Sequence, residues 1–269
     1  MQDAHYDQLK RTIMRLLTID IDAYKTEQMR RRIETFVTTH GGGDAVAFER
    51  SLSTDKALLA KFRDMLTINV SEFFRDTPQF DRLHTLVLPE LLERRPTLSI
   101  WSAACSNGQE PYTLAILLDE LGAISRTRIL ATDFDRSVLP RARAGGPYGA
   151  PDLRGITPAR RKRYFIDRED GTYVVDTLRA RVQFAEHNLL SSAYGRDYDL
   201  IVCRNVLIYF QPDVKLAVLR KFQAALRPGG VIFIGGTEAL LGAEVEGYKP
   251  LGGNFYQRPL DDLAGRRVA

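Results

Sequence analysis

Apolar residues recur at helical spacing through the first part of the chain. Between residues 6 and 65 they return every three or four positions, as at Leu9, Ile13 and Leu16, with a break at Gly41-Gly-Gly43. That spacing places apolar side chains along one face of a helix, and a run of glycines interrupts a helix. The pattern predicts an all-helical N-terminal segment.

The pattern changes at Leu98, from which short apolar runs alternate with longer amphipathic stretches. The stretches at 111–121 and 213–226 predict crossover helices, the second ending at the sequence Arg227-Pro-Gly-Gly230. Strands joined by helices in this way form a mostly parallel sheet with helices on both faces. This part of the chain is therefore predicted to be an α/β domain. Its predicted strands are 98–103, 128–132, 182–185, 198–203 and 231–235.

Two further segments depart from this alternation. The stretch YFIDREDGTYVV (164–175) contains Asp170-Gly171, a pair typical of a hairpin turn, and predicts a small antiparallel insertion at about 147–180. The stretch NFYQR (254–258) predicts a last antiparallel strand. Residues after 260 are predicted to be frayed.

The chain is long and apolar enough for two such domains. Its 269 residues are 44% hydrophobic and 27% charged, which is ordinary for a globular protein with a buried core. We expect a helical domain at 1–80 and the α/β domain, with its insertion, at 81–269. No apolar run approaches the roughly 18 residues that span a bilayer, and the first residues lack the basic and apolar regions of a secretory signal. We therefore expect a cytoplasmic protein without direct membrane insertion.

The charge of the chain and its cysteines and histidines limit which partners and metal sites are expected. The formal charge of +4 and the pI near 9.1 permit an acidic partner without requiring one, because Asp and Glu are interspersed along the chain. Cys105 and Cys203 lie in unrelated segments, and the four histidines are scattered singly. Since neither set has the spacing of metal ligands, no metal site is expected. The two cysteines are interpreted as small packing groups.

Polar residues follow four of the predicted strands. In an open α/β sheet the ligand lies outside the carboxyl ends of the strands, so these residues are candidates for a binding site. The turn after the first strand is built from small residues, but it lacks both the G-x-G-x-x-G and the P-loop patterns that cradle a diphosphate. The polar segments are 102–108, 132–135, 187–189 and 203–205.

Three of these residues fit a nucleoside. Asp133 closes the second strand about 25 to 30 residues after the first turn, which contains Gly108, and a carboxylate there accepts hydrogen bonds from both ribose hydroxyls. Asn188 is placed to bond an adenine edge. Each also has a plainer interpretation as a turn residue, and Asp135 is predicted to cap the next helix. An adenosine site without a diphosphate cradle favours S-adenosylmethionine, whose sulfonium and amino acid replace the phosphates.

Four segments are specific as a set, although each alone is weak. They are TINVSEFFRD (67–76), IWSAACSNGQEPY (100–112), ATDFD (131–135) and CRNVLIYF (203–210). In content and spacing they resemble the chemotaxis receptor glutamate methyltransferases, the CheR family, and the resemblance covers about residues 6 to 258. It implies a Rossmann-like class I methyltransferase sheet, an all-helical N-terminal domain and a small antiparallel β-subdomain.

The resemblance also implies a set of cofactor-binding residues. Asn69, Ser71 and Arg75 match the family's N-x-T-x-F-F-R segment, in which Ser71 keeps the hydroxyl of the usual Thr. Glu110 matches the acidic residue before Pro in G-E-E-P-Y and inherits a contact with the cofactor at its amino group, while Gln109 replaces the first Glu. The other implied contacts to S-adenosyl-L-methionine are Ala103 and Gly108 in the first turn, Asp133 at the ribose, Asn188 and Leu189 around the adenine, and Arg204 and Asn205 near the sulfur.

The implied reaction is methylation of glutamate side chains on the cytoplasmic helices of chemoreceptors, which yields methyl esters and S-adenosyl-L-homocysteine. Arg75 and Tyr209 are the implied catalytic residues and would orient the acceptor. Arg75 could instead bind the cofactor carboxylate, and Tyr209 could be a core residue. Because a glutamate is already ionised at neutral pH, no general base is required. Phe73 and Phe74 are predicted to be packing residues.

The partner surface is predicted on the N-terminal helices. Lys25 and Arg30 to Arg32 would form a basic face toward acidic receptor helices. The hairpin is short for a β-subdomain that grips a receptor tether, so tethered recruitment is not expected, and the chain is expected to be a monomer.

Two other classes of protein stay open, a nucleic-acid methyltransferase and a non-catalytic adaptor. A nucleic-acid methyltransferase would be expected to carry N-P-P-Y or D-P-P-Y in place of RNVL (204–207), so no nucleic acid partner is expected. A non-catalytic cofactor-binding adaptor would be expected to lack Asp133 or Arg75.

Overall fold

The computed structural model describes residues 1–260, so the predicted frayed residues after 260 lie outside the described residues. The chain divides into two compact units. One contains Met1–Asn69 together with Tyr209–Lys215, and the other contains Val70–Ile208 and the chain from Leu216 onward. A domain boundary at residue 80 stays a prediction.

The first unit is helical, as the apolar periodicity predicts. Asp44 and Asp55 each precede a helix, and each side chain accepts hydrogen bonds from two backbone N–H groups at the helix start. Buried apolar side chains form the core of this unit, and Phe48 and Phe62 pack edge to face within it. Its helices are α1 (Asp3–Leu17), α2 (Thr26–His40), α3 (Ala45–Thr54) and α4 (Lys56–Thr67).

Residues 209–215 belong to this unit although they lie far along the chain. The backbone N–H of Lys25 donates to the carbonyl of Tyr209 at 2.8 Å, and that of Gln211 donates to the carbonyl of Ala23 at 2.9 Å. These bonds fix the backbone of Tyr209 to the segment that precedes α2.

The second unit contains the sheet and the helices that cover it. It opens with α5 (Thr77–Arg82), a π-helical turn (Leu83–Val87) and α6 (Leu88–Arg94). The strands are β1 (Leu98–Ala103), β2 (Thr127–Asp133), β3 (Phe165–Arg168), β4 (Gly171–Val174), β5 (Val182–Glu186), β6 (Tyr198–Cys203), β7 (Leu226–Ile234), β8 (Lys249–Gly252) and β9 (Phe255–Gln257). The helices after β1 are α7 (Gln109–Glu120), α8 (Leu139–Ala144), α9 (Pro158–Tyr164), α10 (Asp176–Arg179) and α11 (Pro212–Ala225), of which residues 212–215 are counted with the first unit.

Seven strands form one mixed sheet in the order β5-β2-β1-β6-β7-β9-β8. The five from β5 to β7 are parallel, and β9 and β8 add antiparallel pairs at one edge. Every residue of the central strand β6 is buried, which explains the apolar run from Leu200 to Cys203. The parallel register brings the carboxyl ends of β2, β1 and β6 to one edge, so the polar segments that follow these strands meet there. The predicted α/β architecture is confirmed.

The insertion is a two-stranded antiparallel hairpin of β3 and β4, with Arg168 paired to Gly171. The hairpin is therefore confirmed, but its two turn residues are Glu169 and Asp170, one position earlier than predicted, and Gly171 begins β4. No helix in residues 1–260 combines the length and apolar character that a membrane span needs.

Two local predictions about the end of the sheet need correction. The sequence Arg227-Pro-Gly-Gly230 does not end a helix, because α11 ends at Ala225 and β7 begins at Leu226. The strand tolerates Pro228 because its pairing with β6 is irregular there, with a register shift between Tyr198 and Leu200. The sequence analysis also missed β8.

Candidate cofactor site

The turn after β1 adopts glycine-type backbone conformations at residues that are not all glycine. Ala104, Ser106 and Gly108 have φ angles of 67°, 49° and 92°, all in the left-handed region. Only glycine enters this region without a steric penalty, so Ala104 and Ser106 are strained. The chain thus builds the tight turn of a nucleotide-binding fold without the glycine pattern. Strain of this kind is typical of functional sites.

Gly108 is a position of this turn where a side chain would be crowded. A Cβ added there would lie 3.1 Å from Cβ of Ala142 in α8. Gly108 is also the N-cap of α7. Ala103, the last residue of β1, is fully buried beside it. The predicted cofactor contacts of Gly108 and Ala103 stay predictions.

Asp133 joins the turn after β1 to the end of β2. Its Oδ2 accepts a hydrogen bond from the backbone N–H of Ser106 at 2.7 Å, and its Oδ1 accepts one from Asp135 at 2.9 Å. Burial raises the pKa of Asp133 to about 6, against the opposing effect of these hydrogen bonds. Each carboxylate oxygen keeps a lone pair, so both oxygens can still accept a bond from a ribose hydroxyl.

Asp135 does not cap the next helix, and that prediction is wrong. Its side chain accepts hydrogen bonds from the backbone N–H and the hydroxyl of Ser137, at 2.9 and 2.6 Å. The N-cap of α8 is Val138. The reason is that the chain makes an Asx-type turn after β2 before the helix begins, and Asp135 stabilises that turn.

Glu110 is a buried carboxylate in the first turn of α7. Its Oε1 accepts a hydrogen bond from the Ser102 hydroxyl at 2.8 Å, and Nη1 of Arg204 lies 3.7 Å from its Oε2. Burial raises the pKa of Glu110, while Arg204 and Ser102 act in the opposite direction. Its position at a helix N-terminus favours the anion as well. Such a group suits a cationic ligand group, here an ammonium.

Arg204, directly after β6, is the central cation of the site. Its Nη2 donates to the carbonyl of Arg75 at 2.8 Å and to the Asp76 carboxylate at 2.5 Å. The guanidinium lies over the rings of Phe80 and Phe233, with its carbon 4.9 and 4.8 Å from their centroids. Burial lowers the pKa of Arg204, although its nearby carboxylates oppose this. Its Nε is buried and has no partner among residues 1–260.

Arg75 is held in a strained turn between two left-handed residues. Phe74 and Asp76 have φ angles of 55° and 64°. Phe73 and Phe74 are buried, which confirms that they are packing residues. The Arg75 side chain is half-buried, donates to the carbonyl of Val70 at 3.0 Å, and forms no ion pair with a carboxylate of residues 1–260. Its charge is therefore available to an anionic group.

The segment after β5 forms a turn, and some of its polar groups bond within that turn. Oδ1 of Asn188 accepts from the backbone N–H of Leu190 at 2.8 Å, which is the turn role that the sequence left open. The amide nitrogen of Asn188 keeps its donors for a ligand. Leu189 is buried, and its carbonyl accepts from the Tyr194 hydroxyl at 2.8 Å. The predicted adenine contacts of both residues stay predictions.

The other four predicted site residues are divided between the two compact units. The carbonyl of Ser71 accepts from the Gln109 amide at 3.4 Å, so Ser71 lies beside the start of α7. Asn205, next to Arg204, has a left-handed φ of 60° and uses its backbone N–H within the same unit. Asn69 and Tyr209 belong to the other compact unit, where the Asn69 amide donates to the Thr67 hydroxyl at 2.9 Å. The cofactor role of Asn69 and the catalytic role of Tyr209 stay predictions.

The sequence analysis assigned no role to three polar residues of the site. Ser102 lies in the candidate segment 102–108 and Asp76 in the segment 67–76, each next to a predicted residue. Glu238 is almost fully buried and binds three backbone N–H groups, but no local pattern marks it, because its partners lie at the ends of other strands. Among residues 1–260, no group of three or more His, Cys, Asp and Glu side chains is arranged to hold a metal ion.

The polar groups at this edge of the sheet fit S-adenosylmethionine. Asp133 offers two acceptors for a ribose, Glu110 offers a buried anion for an ammonium, and the strained turn between them exposes backbone rather than a diphosphate cradle. The buried, unpartnered Nε of Arg204 is a donor that a bound ligand could satisfy. The fold and this site define a Rossmann-like methyltransferase that uses S-adenosylmethionine.

Comparison with known proteins identifies the family. The family model described as CheR methyltransferase, SAM binding domain, matches residues 69–253. A chemotaxis protein methyltransferase of Listeria innocua is 40% identical over 247 residues, covering 91% of this chain and 94% of that protein. Chemotaxis protein methyltransferase 1 of Pseudomonas aeruginosa is 43% identical over 188 residues, covering 66% of this chain and 68% of that protein. The chain belongs to the CheR methyltransferase family, and its cofactor is S-adenosyl-L-methionine.

Proposed function

We propose that this protein methylates glutamate side chains on the cytoplasmic helices of chemoreceptors, forming glutamate methyl esters. The observation that carries the proposal is the state of Arg75, a half-buried cation beside the site that forms no ion pair with a carboxylate of residues 1–260. A cation held in this way suits an acceptor that is itself an anion. The names of the similar Listeria and Pseudomonas proteins, both chemotaxis protein methyltransferases, support the same substrate class.

The chain's own residues bind and orient the reactants. When bound, S-adenosyl-L-methionine supplies an activated methyl group on a sulfonium. Asp133 would hold the ribose, Glu110 the ammonium, and Asn188 and Leu189 the adenine. Arg204 stabilises the Glu110 anion and fixes the backbone at Arg75. Arg75 and Tyr209 would orient the acceptor carboxylate for in-line attack.

This assignment needs no general base. A glutamate is an anion at neutral pH, so its oxygen is already nucleophilic. His187 is the histidine next to β5, and its ring packs against Trp101 with Nε2 3.3 Å from the carbonyl of Ala193. Burial lowers the pKa of His187, and the contacts of its ring are with Trp101, Tyr194 and the Ala193 carbonyl rather than with the carboxylates of the site. The catalytic work is alignment of the reactants and partial removal of water.

The N-terminal helices offer a surface for the receptor. A groove of about 690 Å³ runs along α2 and the end of α4, with Arg31, Phe36 and Met65 in its lining. Of the basic residues expected to face the receptor, Arg30 is already bonded to Asp3 and Glu34, and Arg32 donates to the Met65 carbonyl. We infer that Arg31, exposed and without a partner among residues 1–260, carries most of the recognition by charge.

The test is methyl transfer to receptors. The protein is incubated with methyl-labelled S-adenosyl-L-methionine and membranes that contain chemoreceptors, followed by mild base. We expect label in the receptor band and its release as methanol, because methyl esters hydrolyse in base whereas N-methyl groups do not. Label in added RNA or DNA would favour a nucleic-acid methyltransferase. Cofactor binding without transfer to either would favour a non-catalytic adaptor.

We further propose that the protein acts in the cytoplasm as a monomer.

A further inference from the structure

Glu238 is a buried carboxylate that lies among three backbone N–H groups. The residue is 2% exposed. Its Oε2 accepts hydrogen bonds from Gly235 at 2.6 Å and from Asn205 at 2.9 Å, and its Oε1 accepts one from Ile208 at 3.2 Å. The carboxylate therefore joins the end of β7 to the segment that follows β6.

The local sequence is built to admit this carboxylate. A Cβ on Gly235 would lie 2.7 Å from Oε2 of Glu238 and 2.8 Å from the backbone nitrogen of Asn205, so any larger residue would displace the pair. Asn254 supports the same turn, because its amide donates to the carbonyls of Gly235 and Glu238 at 2.8 and 2.7 Å. The side chain of Glu238 is thus held by three backbone N–H groups, and its backbone carbonyl is held by the Asn254 amide.

Two of the three partners of Glu238, Asn205 and Ile208, belong to the segment that carries two predicted cofactor residues. Asn205 has a left-handed φ of 60°, a conformation that asparagine adopts more readily than other non-glycine residues. The bond from its N–H to Glu238 holds the backbone in that conformation. Arg204, the preceding residue, has its side chain directed to Asp76 and Glu110.

We propose that Glu238 is a positioning residue for the reaction, which acts through Arg204 and Asn205 without touching the cofactor itself. An acceptor-only group is required, since three donors converge on it and a neutral amide would turn an N–H group toward one of them. Loss of the carboxylate releases the backbone at Asn205 and allows Arg204 to shift from Glu110. This inference rests on the proposed function only for the receptor assay, because cofactor binding and amide exchange are measured without a receptor.

The test compares Glu238→Gln with Glu246→Gln, the same change at an exposed residue of the same segment. Three readouts are taken: the affinity for S-adenosyl-L-homocysteine by calorimetry, amide hydrogen exchange at Asn205, Ile208 and Gly235, and receptor methylation. For Glu238→Gln we expect about tenfold weaker binding, at least one of the three amides exchanging about tenfold faster, and kcat lower by on the order of 100-fold with little change in KM for the receptor. Glu246→Gln should match the unmodified protein.

A second variant keeps the test decisive if Glu238→Gln does not fold. Asn254→Ala removes the support of the Glu238 backbone and leaves the carboxylate in place, so it should produce the same changes at smaller size. Unchanged affinity and unchanged exchange at Asn205 in the folded variants would overturn the inference. If the unmodified protein binds S-adenosyl-L-homocysteine but leaves receptors unmethylated, the proposed function fails, while the effects on affinity and exchange still decide the role of Glu238.

Discussion

Arg204 donates a hydrogen bond of 2.5 Å to the carboxylate of Asp76, a residue 128 positions earlier in the chain. The cation is the inner partner, since the side chain of Arg204 is 2% exposed and that of Asp76 is 42% exposed. The same Nη2 also binds the carbonyl of Arg75. One guanidinium therefore connects the end of β6 to the strained turn that holds Arg75, and it does so within the second compact unit.

This arrangement predicts unequal effects of changing the two partners. Arg204→Lys removes the planar fork and leaves buried groups unsatisfied, so we expect affinity for S-adenosyl-L-homocysteine to fall by on the order of 100-fold. Asp76→Asn removes a partly solvated charge whose pairing is worth about 1 kcal/mol at most, so a loss of about two- to fivefold is expected. The double variant should bind no more than about twofold more weakly than Arg204→Lys, because both changes break one network. Calorimetry on all four proteins measures this, and fully additive losses would contradict it.

The pKa of Asp133 predicts a pH dependence of cofactor affinity. The group has a folded-state pKa of about 6 instead of 3.8, so a large fraction is neutral just below pH 6. A ribose with two donating hydroxyls prefers the anion. Affinity for S-adenosyl-L-homocysteine should therefore rise as pH increases from 5 to 7, by up to about tenfold per unit below the pKa, and level off above it. Binding measured across this range tests the sign.

Asp133→Asn is the matched control for that measurement. The variant keeps the shape of the side chain but cannot ionise, and its NH₂ group faces a backbone donor. We expect weaker binding at every pH and no rise between pH 5 and 7. A pH dependence that persists unchanged in Asp133→Asn would assign the titration to another group.

The sheet was predictable because its signals are local. Short apolar runs define β1 and β6, and polar residues at the strand ends mark the binding edge in any open α/β sheet. The short edge strand β8 was not predicted, since Lys249 to Gly252 has only one half-buried residue and so no apolar pattern. Its pairing with β9 is determined by the tertiary structure. Likewise, β7 begins at Leu226, five residues before the apolar run that starts at Val231.

The site was predictable to the extent that its residues follow strands. Asp133 and Arg204 were found in this way, whereas their partners, the Ser106 N–H and the Asp76 carboxylate, were not. Asp135 was assigned to the wrong role because a cap and an Asx turn use the same residue type. Glu238 could not be found, because a carboxylate that binds backbone N–H groups leaves no pattern in the sequence of its partners. Backbone strain at Ala104 also has no sequence signal, since alanine is common in every element.

The strained turn predicts opposite effects at Ala104 and Gly108. Ala104→Gly removes left-handed strain of about 1 to 2 kcal/mol and adds about 0.5 to 1 kcal/mol of unfolded-state entropy, so the free energy of unfolding should rise by about 0.5 kcal/mol. Gly108→Ala introduces strain at a φ of 92° and places a Cβ 3.1 Å from Ala142. We expect a loss of about 2 kcal/mol and weaker cofactor binding. Denaturant unfolding of both variants tests this, and destabilisation by Ala104→Gly would contradict the strain argument.

Arg31 predicts a separation between receptor recognition and cofactor binding. It is exposed on α2 and has no partner among residues 1–260, so Arg31→Glu should not disturb the helix, unlike a change at Arg30, which is bonded to Asp3 and Glu34. We expect receptor methylation to fall about tenfold at low salt, with a smaller difference at high salt where charges are screened, and affinity for S-adenosyl-L-homocysteine to stay unchanged. Arg50→Glu is the control, because Arg50 is an exposed residue of α3 outside the groove and changes the net charge equally. Equal losses in the two variants would mean that total charge, rather than this face of α2, governs the encounter with the receptor.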